Sequence, residues 1–142
     1  MWHTQETEEY VRRLKQFAKK HRIELLAMLD NLDTYFETLQ SGVQPKQIRH
    51  GFTHSEAHGA IAIDQKGAPG KPTQTRLYVY PDPDTQTLYL ITIGDKKSQR
   101  DDNATCRVWI VSLREAKQNT QNEKDEPNPS GEVDSNDKAN TE

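Results

Sequence analysis

An alternating stretch in the middle of the chain carries side chains that can hold RNA. Arg76, Tyr78 and Tyr80 alternate there with Leu77 and Val79. Successive side chains of a β-strand point to opposite faces, so the arginine and both tyrosines share one face if this stretch is a strand. An arginine fork binds phosphate oxygens through paired hydrogen bonds, and tyrosine rings stack on unpaired bases. The pattern predicts an RNA-binding face, with an ordinary half-exposed strand as the alternative.

Three cations follow the next β-prone stretch, Leu88–Ile93. They are Lys96, Lys97 and Arg100, and a proline-rich turn separates the two stretches. If the stretches pair as a hairpin, the end of the second strand lies beside Arg76. We therefore expect the charged ends of Arg76 and Lys96 to converge on one concave surface that holds a phosphate. Lys97 and Arg100 are expected to be further RNA contacts.

The segment before the alternating stretch is predicted to be a loop that carries Lys71. Residues 65–73 contain two glycines and two prolines, which interrupt helices and strands. A nucleotide phosphate loop needs four residues between its glycines and a serine or threonine after the lysine. Here Pro72 follows the lysine, so we reject that motif. Lys71 is expected either to contact the RNA backbone or to be an ordinary surface lysine.

Three histidines at intervals of four residues precede the strands. His50, His54 and His58 would align as metal ligands on a helix, but Gly51 and Gly59 make a stable helix unfavourable. We therefore predict no metal site. His54 and His58 are instead candidates for proton transfer, because histidine titrates near neutral pH. Surface positions in a loop are the alternative.

Two amphipathic helices are predicted before these residues. Apolar residues recur at helical spacing in residues 6–21, and a second stripe follows at spacings of 4, 3, 4 and 3. The second stripe consists of Leu25, Leu29, Leu32, Phe36 and Leu39. Gly42 and Pro45 beyond it are helix stop signals. The two helices, joined near residues 20–22, are predicted to form an antiparallel hairpin.

The remaining elements predict an α+β fold. Strands are predicted at residues 59–64, 75–80 and 88–93, and a helix is favoured over a strand at 102–117. Helices grouped before strands are typical of helices packed on one antiparallel sheet. We predict two N-terminal antiparallel helices packed on a small antiparallel sheet of three to four strands, followed by a C-terminal helix.

Composition separates a folded part from an acidic tail. From Gln118 to Glu142 the only apolar residues are Val133 and Ala139, and seven acidic residues outnumber two basic ones. Such a segment cannot bury enough surface to offset its conformational entropy. We therefore predict a domain at residues 1–117 and a disordered acidic tail at residues 118–142.

The composition also indicates the cellular compartment in which the protein works. Cys106 is the single cysteine, which excludes an intrachain disulfide and a cysteine-rich metal site. No run approaches the roughly 18 apolar residues of a membrane span, and the N-terminus lacks the apolar core of a secretion signal. These features predict a cytoplasmic chain that has no contact with a membrane.

The two β-prone stretches resemble the C-terminal half of RelE/HigB-type toxins, of the RelE/ParE toxin superfamily. The shared features are an "R-L-x-Y"-like strand at Arg76–Tyr80, a short acidic turn, and a strand that ends in "I-x-x-G" and leads into basic residues at Leu88–Lys97. The likeness is specific over residues 75–100. Over residues 6–42 it is limited to the order of the elements.

The resemblance implies a metal-independent endoribonuclease without a cofactor. In the RelE branch the 2′-hydroxyl of messenger RNA attacks the adjacent phosphate on the ribosome. Arg76 falls on the family arginine that stabilises the pentacoordinate phosphate, and Lys96 falls on the basic residue that stabilises charge or protonates the leaving oxygen. The family often has an arginine at the second position and strand lysines where this chain has Ala60 and Ala62. It also has a first strand, which only residues 1–4 can supply here.

The resemblance also implies partners and leaves other functions open. A toxin of this kind is neutralised by a cognate antitoxin protein that covers the basic site, and a heterotetramer with that antitoxin is one expected assembly. Messenger RNA and the ribosome are the other expected partners. ParE-like relatives share the fold but inhibit DNA gyrase by contact. A catalytically inactive binding protein with a RelE-like fold is the third alternative.

Overall fold

Helices and strands segregate along the chain as an α+β fold. The computed structural model describes residues 1–125, with side-chain environments for residues 1–121. The elements are β1 (His3–Glu6), α1 (Glu8–Lys20), α2 (Arg22–Gln40), β2 (Thr53–Ser55), β3 (Ile61–Asp64), β4 (Thr75–Asp82), β5 (Thr87–Asp95) and α3 (Gln99–Asp125), with 3₁₀ turns at Pro45–Gln47, Ala57–Gly59 and Lys96–Ser98. The predicted class, with two helices before the main sheet and one after it, is confirmed. Residues 1–111 form the compact unit that contains the sheet.

The strands within residues 1–125 form one mixed sheet in the order β1-β5-β4-β3-β2. β1 pairs with β5 in parallel, and the other neighbouring strands are antiparallel. The prediction of a purely antiparallel sheet of three to four strands therefore needs two corrections. A parallel strand, β1, is added at one edge, and a short strand, β2, is added at the other.

Helices α1 and α2 cover one side of the sheet, which we call face A. Helix α1 begins at a side-chain cap, where the Thr7 hydroxyl accepts the Tyr10 N–H at 3.1 Å. One residue, His21, joins α1 to α2. The apolar residues of both helices pack on the sheet in a cluster that includes Met28, Leu39, Leu77, Leu88 and Ile93. This core fixes the strands that carry the polar residues of the opposite side.

Helix α3 covers that opposite side, which we call face B. Trp109 of α3 contacts Tyr89 of β5, with ring centroids 4.7 Å apart. Cys106 and Ile110 are buried, and Tyr78 of β4 is only 1% exposed. Burial raises the pKa of the Cys106 thiol to about 12. The RNA-binding face and the alternative of a half-exposed strand both require an exposed polar side of β4, and Tyr78 does not fit either of them because both faces of this strand are packed.

Helix α3 is longer than the predicted segment 102–117. It begins at Gln99 and ends at Asp125, so residues 118–125 of the predicted acidic tail are helical. The rest of that predicted tail, residues 126–142, lies outside the described residues. None of the helices in the described part of the chain combines the length and the apolar composition that a membrane span requires.

Candidate functional site

Four ionisable side chains of β2–β4 form two contacts at face B, and we call them the polar cluster. They are His54, Glu56, Asp64 and Arg76. The strand register brings them together, because His54 is paired with Ala62 and Asp64 is paired with Arg76. Directly opposed residues of antiparallel strands point to the same face. The small side chain of Ala62 leaves room for the longer polar ones around it.

The first contact of the polar cluster joins an imidazole to a carboxylate. His54 Nε2 lies 2.7 Å from Asp64 Oδ2, with the two side chains 38% and 18% exposed. The other oxygen, Asp64 Oδ1, accepts the backbone N–H of Lys66 at 2.8 Å, which fixes the carboxylate. An ionised carboxylate only accepts hydrogen bonds, so Nε2 carries the proton in this contact. In the neutral ring, Nδ1 is then the basic nitrogen, as a general base requires.

The second contact holds the predicted phosphate-binding arginine. Arg76 Nη1 donates to Glu56 Oε2 at 2.7 Å, and each side chain is 17% exposed. Arg76 Nε is buried without a hydrogen-bond partner. The guanidinium therefore does not present a free fork to the solvent. A phosphate can bind it only by displacing Glu56 or by using its remaining N–H groups.

Lys96 does not converge with the guanidinium of Arg76 as expected. Lys96 is exposed and follows β5, where its backbone N–H donates to the Gln74 carbonyl at 3.2 Å. Glu56, which holds the guanidinium, follows β2. The sheet order places β2 and β5 on opposite sides of β4. Arg76 is thus engaged on the side away from Lys96, and this part of the prediction is corrected.

The two tyrosines predicted to stack on RNA bases are buried. Tyr78 is 1% exposed and Tyr80 is 9% exposed. Burial raises the pKa of the Tyr78 hydroxyl, and the Asp102 carboxylate adds to this shift. Neither ring presents a face for stacking, because helix α3 and the neighbouring strands cover this part of face B.

The other predicted site residues are exposed, and none of them forms the two contacts of the polar cluster. Lys97 and Arg100 follow β5, and Lys71 lies in the loop before β4, each with an exposed side chain. His58 is exposed in the turn between β2 and β3, where its φ of 62° is left-handed. These residues are accessible to a large anionic partner, whereas the contacts of the polar cluster are built into the sheet.

His50 and His54 have different surroundings, although they are four residues apart. His50 Nε2 lies 3.1 Å from the Thr38 hydroxyl, and its ring stacks on Phe52. His54 contacts Asp64 instead. Within residues 1–121, no three histidine, cysteine or acidic side chains are grouped closely enough to hold a metal ion.

Sequence reasoning found His54 and Arg76 but missed both of their carboxylate partners. Asp64 ends β3 and Glu56 follows β2, so each resembles an ordinary turn residue in the sequence. The available signal for Asp64 is the register of β3 and β4, which places it opposite Arg76. The position of His54 becomes predictable only if β2 is recognised as a strand that pairs with β3.

Comparisons with known proteins assign no family to the chain. No protein-family model, no curated protein and no solved structure matches it. The likeness to RelE-type toxins therefore depends on the residues and the element order given above.

Proposed function

We propose that this protein is a cytoplasmic toxin of the RelE type that cleaves messenger RNA without a metal ion. The observation that carries the proposal is the 2.7 Å contact between His54 and Asp64, on the strands beside Arg76. A carboxylate-oriented imidazole supplies proton transfer, and an arginine supplies charge for a phosphate. The two groups together are what phosphodiester cleavage by an internal hydroxyl needs.

The order of the elements supports the same proposal. β1 agrees with the first strand that the resemblance implies, and two helices and a closing helix flank the remaining strands. Arg76 and Lys96 keep the positions at which the family has its basic residues. In this proposal the partners are messenger RNA on the ribosome and an antitoxin that covers the exposed cations, in a complex such as a heterotetramer.

The proposed reaction is a transfer of the phosphate to the neighbouring 2′-oxygen. His54 Nδ1 takes the proton of the 2′-hydroxyl as the new oxygen–phosphorus bond forms. Arg76 exchanges Glu56 for the phosphate and stabilises the charge on its oxygens. The bond to the 5′-oxygen breaks, and that oxygen takes a proton from water. The products are a 2′,3′-cyclic phosphate and a 5′-hydroxyl.

Cleavage of RNA by the purified chain, in the presence of a chelator, tests the proposal. His54→Ala should lower the cleavage rate by about 10²–10⁴-fold, the usual contribution of a general base. Arg76→Ala should abolish both cleavage and the translation arrest that follows expression. His50→Ala is the matched control, because this histidine contacts Thr38 instead of the polar cluster. Undiminished cleavage by His54→Ala or Arg76→Ala would overturn the proposal.

Glu56 provides an independent test of the exchange at Arg76. Glu56→Gln keeps the length of the side chain but removes its charge, so phosphate should compete more effectively for the guanidinium. We expect faster cleavage at limiting RNA concentrations. A fall to the level of Arg76→Ala would show that Glu56 is required for the reaction, and the exchange would then be wrong.

Inhibition of DNA gyrase is the second candidate function. The observation that favours it is the pairing of Arg76 with Glu56 at 2.7 Å, which leaves no free arginine fork in the polar cluster. A ParE-like protein acts by contact and needs no such fork. A supercoiling assay separates the two functions, because a ribonuclease of this kind leaves gyrase active.

A further inference from the structure

A cleft lies at the carboxyl end of β5, next to helix α1. Its volume is about 210 Å³, and we call it the β5 cleft. Its polar and apolar walls include Arg13, Gln16, Phe17, His21, Asp95 and Ser98. Sites that enclose a drug-sized ligand have volumes of roughly 300–1,000 Å³. The β5 cleft therefore has room for one small planar group.

His21 offers this cleft a hydrogen-bonding atom that has no partner. Its side chain is 9% exposed, and its Nε2 makes no hydrogen bond. The carboxylate oxygen of Asp95 lies 3.4 Å away, beyond the usual range of about 2.7–3.2 Å. The ring of Phe17 packs against the imidazole, with centroids 4.9 Å apart. A ligand acceptor placed in the cleft beside Asp95 would satisfy the buried nitrogen.

Asp95 presents one fixed carboxylate oxygen to the cleft. Its Oδ1 accepts the backbone N–H groups of Lys97 at 3.0 Å and Ser98 at 3.2 Å. Its Oδ2 is the oxygen that faces His21 at 3.4 Å and Lys20 Nζ at 3.9 Å. Burial alone would raise the pKa of Asp95, but these backbone N–H groups, the His21 side chain and the Lys20 ammonium together lower it below its usual value. Asp95 is thus a charged acceptor at neutral pH.

We propose that the β5 cleft binds a guanine base of RNA, an inference that rests on the proposed function. Guanine presents two adjacent N–H donors, at N1 and the exocyclic amine, beside the O6 acceptor. Asp95 Oδ2 accepts from the two donors, while His21 Nε2 and Arg13 donate to O6. Phe17 forms the apolar wall against the ring. The other three bases lack this order of donors and acceptor.

A base fits the charges of the cleft better than a phosphate does. Arg13 donates to the buried carboxylate of Asp102 at 3.0 Å, and Lys20 lies 3.9 Å from Asp95. The cations are therefore balanced by carboxylates, which repel a phosphate at short range. Neutral donors and acceptors meet no such penalty.

The strand register connects the β5 cleft to the polar cluster. Gly94 lines the cleft and pairs with Arg76, and Arg76 pairs with Asp64. Neighbouring strands lie about 4.8 Å apart, so two strand spacings, roughly 10 Å, separate Gly94 from Asp64. A single RNA strand can cross this distance within a few nucleotides.

Binding of free nucleotides to the full chain tests the inference without any need for cleavage. GMP should bind at least about tenfold more tightly than AMP, CMP or UMP, because unpaired donors and acceptors penalise the wrong base. It should also shift the NMR signals of the His21 ring. Equal affinity for the four nucleotides, or the same shifts with inorganic phosphate alone, would overturn the proposal.

Two substitutions test whether GMP binds in the β5 cleft. Asp95→Asn keeps a cap acceptor for the Lys97 and Ser98 N–H groups but loses the charge, and it should remove the preference for GMP. His21→Ala should weaken GMP binding by about tenfold or more. Wild-type GMP affinity in both variants would contradict the assignment. If either variant fails to fold, the selectivity of the unmodified chain for GMP over the other nucleotides still decides whether the inference holds.

The failure of this inference is distinguishable from failure of the proposed function. His54→Ala should lose RNA cleavage but keep GMP binding, since His54 lies outside the β5 cleft. RNA cleavage without selectivity for GMP would overturn only the proposal that the β5 cleft binds guanine. Selectivity for GMP without RNA cleavage would support that proposal and overturn the proposed nuclease function.

Discussion

The two faces of the sheet differ in what they bury. Face A encloses apolar side chains of α1, α2 and the strands in one cluster. Within residues 1–121, five buried side-chain polar atoms have no hydrogen-bond partner, and three of them belong to Arg76, Tyr78 and Thr92 of face B. Leaving a buried polar group unpaired costs roughly 1–3 kcal/mol. The strands of face B therefore carry unpaired polar groups themselves, whereas the one in the apolar cluster of face A, the Tyr35 hydroxyl, lies on helix α2.

The carboxylates of face B show that these polar groups are not all unpaired. Asp102 of α3 accepts the Ser98 hydroxyl at 2.7 Å and Arg13 at 3.0 Å, and its side chain is 1% exposed. Asp64 and Glu56 each hold one cationic or imidazole partner. The difference between the faces is therefore one of role: face A stabilises the sheet, and face B orients charged side chains on it.

The largest predicted difference in the free energy of unfolding is between substitutions at two neighbouring residues of β5. Ile93 points to face A and is fully buried, so Ile93→Ala should lower the free energy of unfolding by about 2–5 kcal/mol. Thr92 points to face B, and Thr92→Val replaces an unpaired buried hydroxyl with a methyl group. That change should be neutral or stabilising. Urea unfolding followed by circular dichroism measures both.

Equal losses of stability in Ile93→Ala and Thr92→Val would contradict the proposed difference between face A and face B. A cost for Thr92→Val as large as that for Ile93→Ala would mean that face B depends on the hydroxyl for stability. Tyr78→Phe is a matched control, because the Tyr78 hydroxyl is also buried and unpaired. Tyr78→Phe should likewise change the free energy of unfolding only slightly.

The next largest effect is expected at Gly94, where Asp102 of α3 and the preceding Ser98 lie against β5. A Cβ atom at this position would collide with the Asp102 carboxylate and the Ser98 hydroxyl. Gly94→Ala should therefore lower the free energy of unfolding by about 1–3 kcal/mol, the usual cost of overpacking. In an Asp102→Ala background the same change should cost less. An equal cost in both backgrounds would place the strain elsewhere than at this contact.

The sequence predicted the long elements and missed the short edge strands for a physical reason. Helix α2 and strands β4 and β5 each bury a periodic row of apolar residues, which the spacing reveals. Strand β1 has no apolar residue among His3–Glu6 and exists through its pairing with β5. Pairing of this kind depends on a partner distant in the sequence and leaves no local signal.

The same limit applies to the candidate site. Arg76 and His54 stand out by residue type, but their partners Glu56 and Asp64 depend on the register of β2, β3 and β4. A shift of one residue would turn each side chain to the other face. The burial of Tyr78 was missed for a related reason, since alternation indicates which residues share a face but not whether a distant helix covers it.

An effect of similar size is predicted for the Arg76–Glu56 pair. Arg76→Met keeps the apolar stem but leaves the Glu56 carboxylate, 17% exposed, without its partner. The free energy of unfolding should fall by about 1–3 kcal/mol. The double variant Arg76→Met with Glu56→Gln should recover part of this loss, which a double-mutant cycle measures. Additive losses would show that the pair contributes nothing to stability and that face B does not orient it.

The smallest and most specific effect is that protonation of Asp102 and protonation of Asp95 should change stability in opposite directions as the pH falls. Burial raises the pKa of Asp102, in opposition to the hydrogen bond from Ser98 and the charge of Arg13. Burial also acts to raise the pKa of Asp95, but backbone N–H groups, the His21 side chain and Lys20 together leave that pKa lowered. The folded state therefore favours the protonated form of Asp102 and the ionised form of Asp95.

These shifts fix the sign of each response. For Asp102, whose folded pKa is raised, stability rises as pH falls through the folded pKa to the unfolded value of 3.8. For Asp95, whose folded pKa is lowered, stability falls as pH drops from 3.8 through the folded pKa. Unfolding measured from neutral pH to about pH 3 or below should show that Asp102→Asn removes the gain and Asp95→Asn removes the loss. The same slope in both variants would mean that the buried carboxylate of α3 and the one at the end of β5 share one environment, contrary to the contacts that distinguish them.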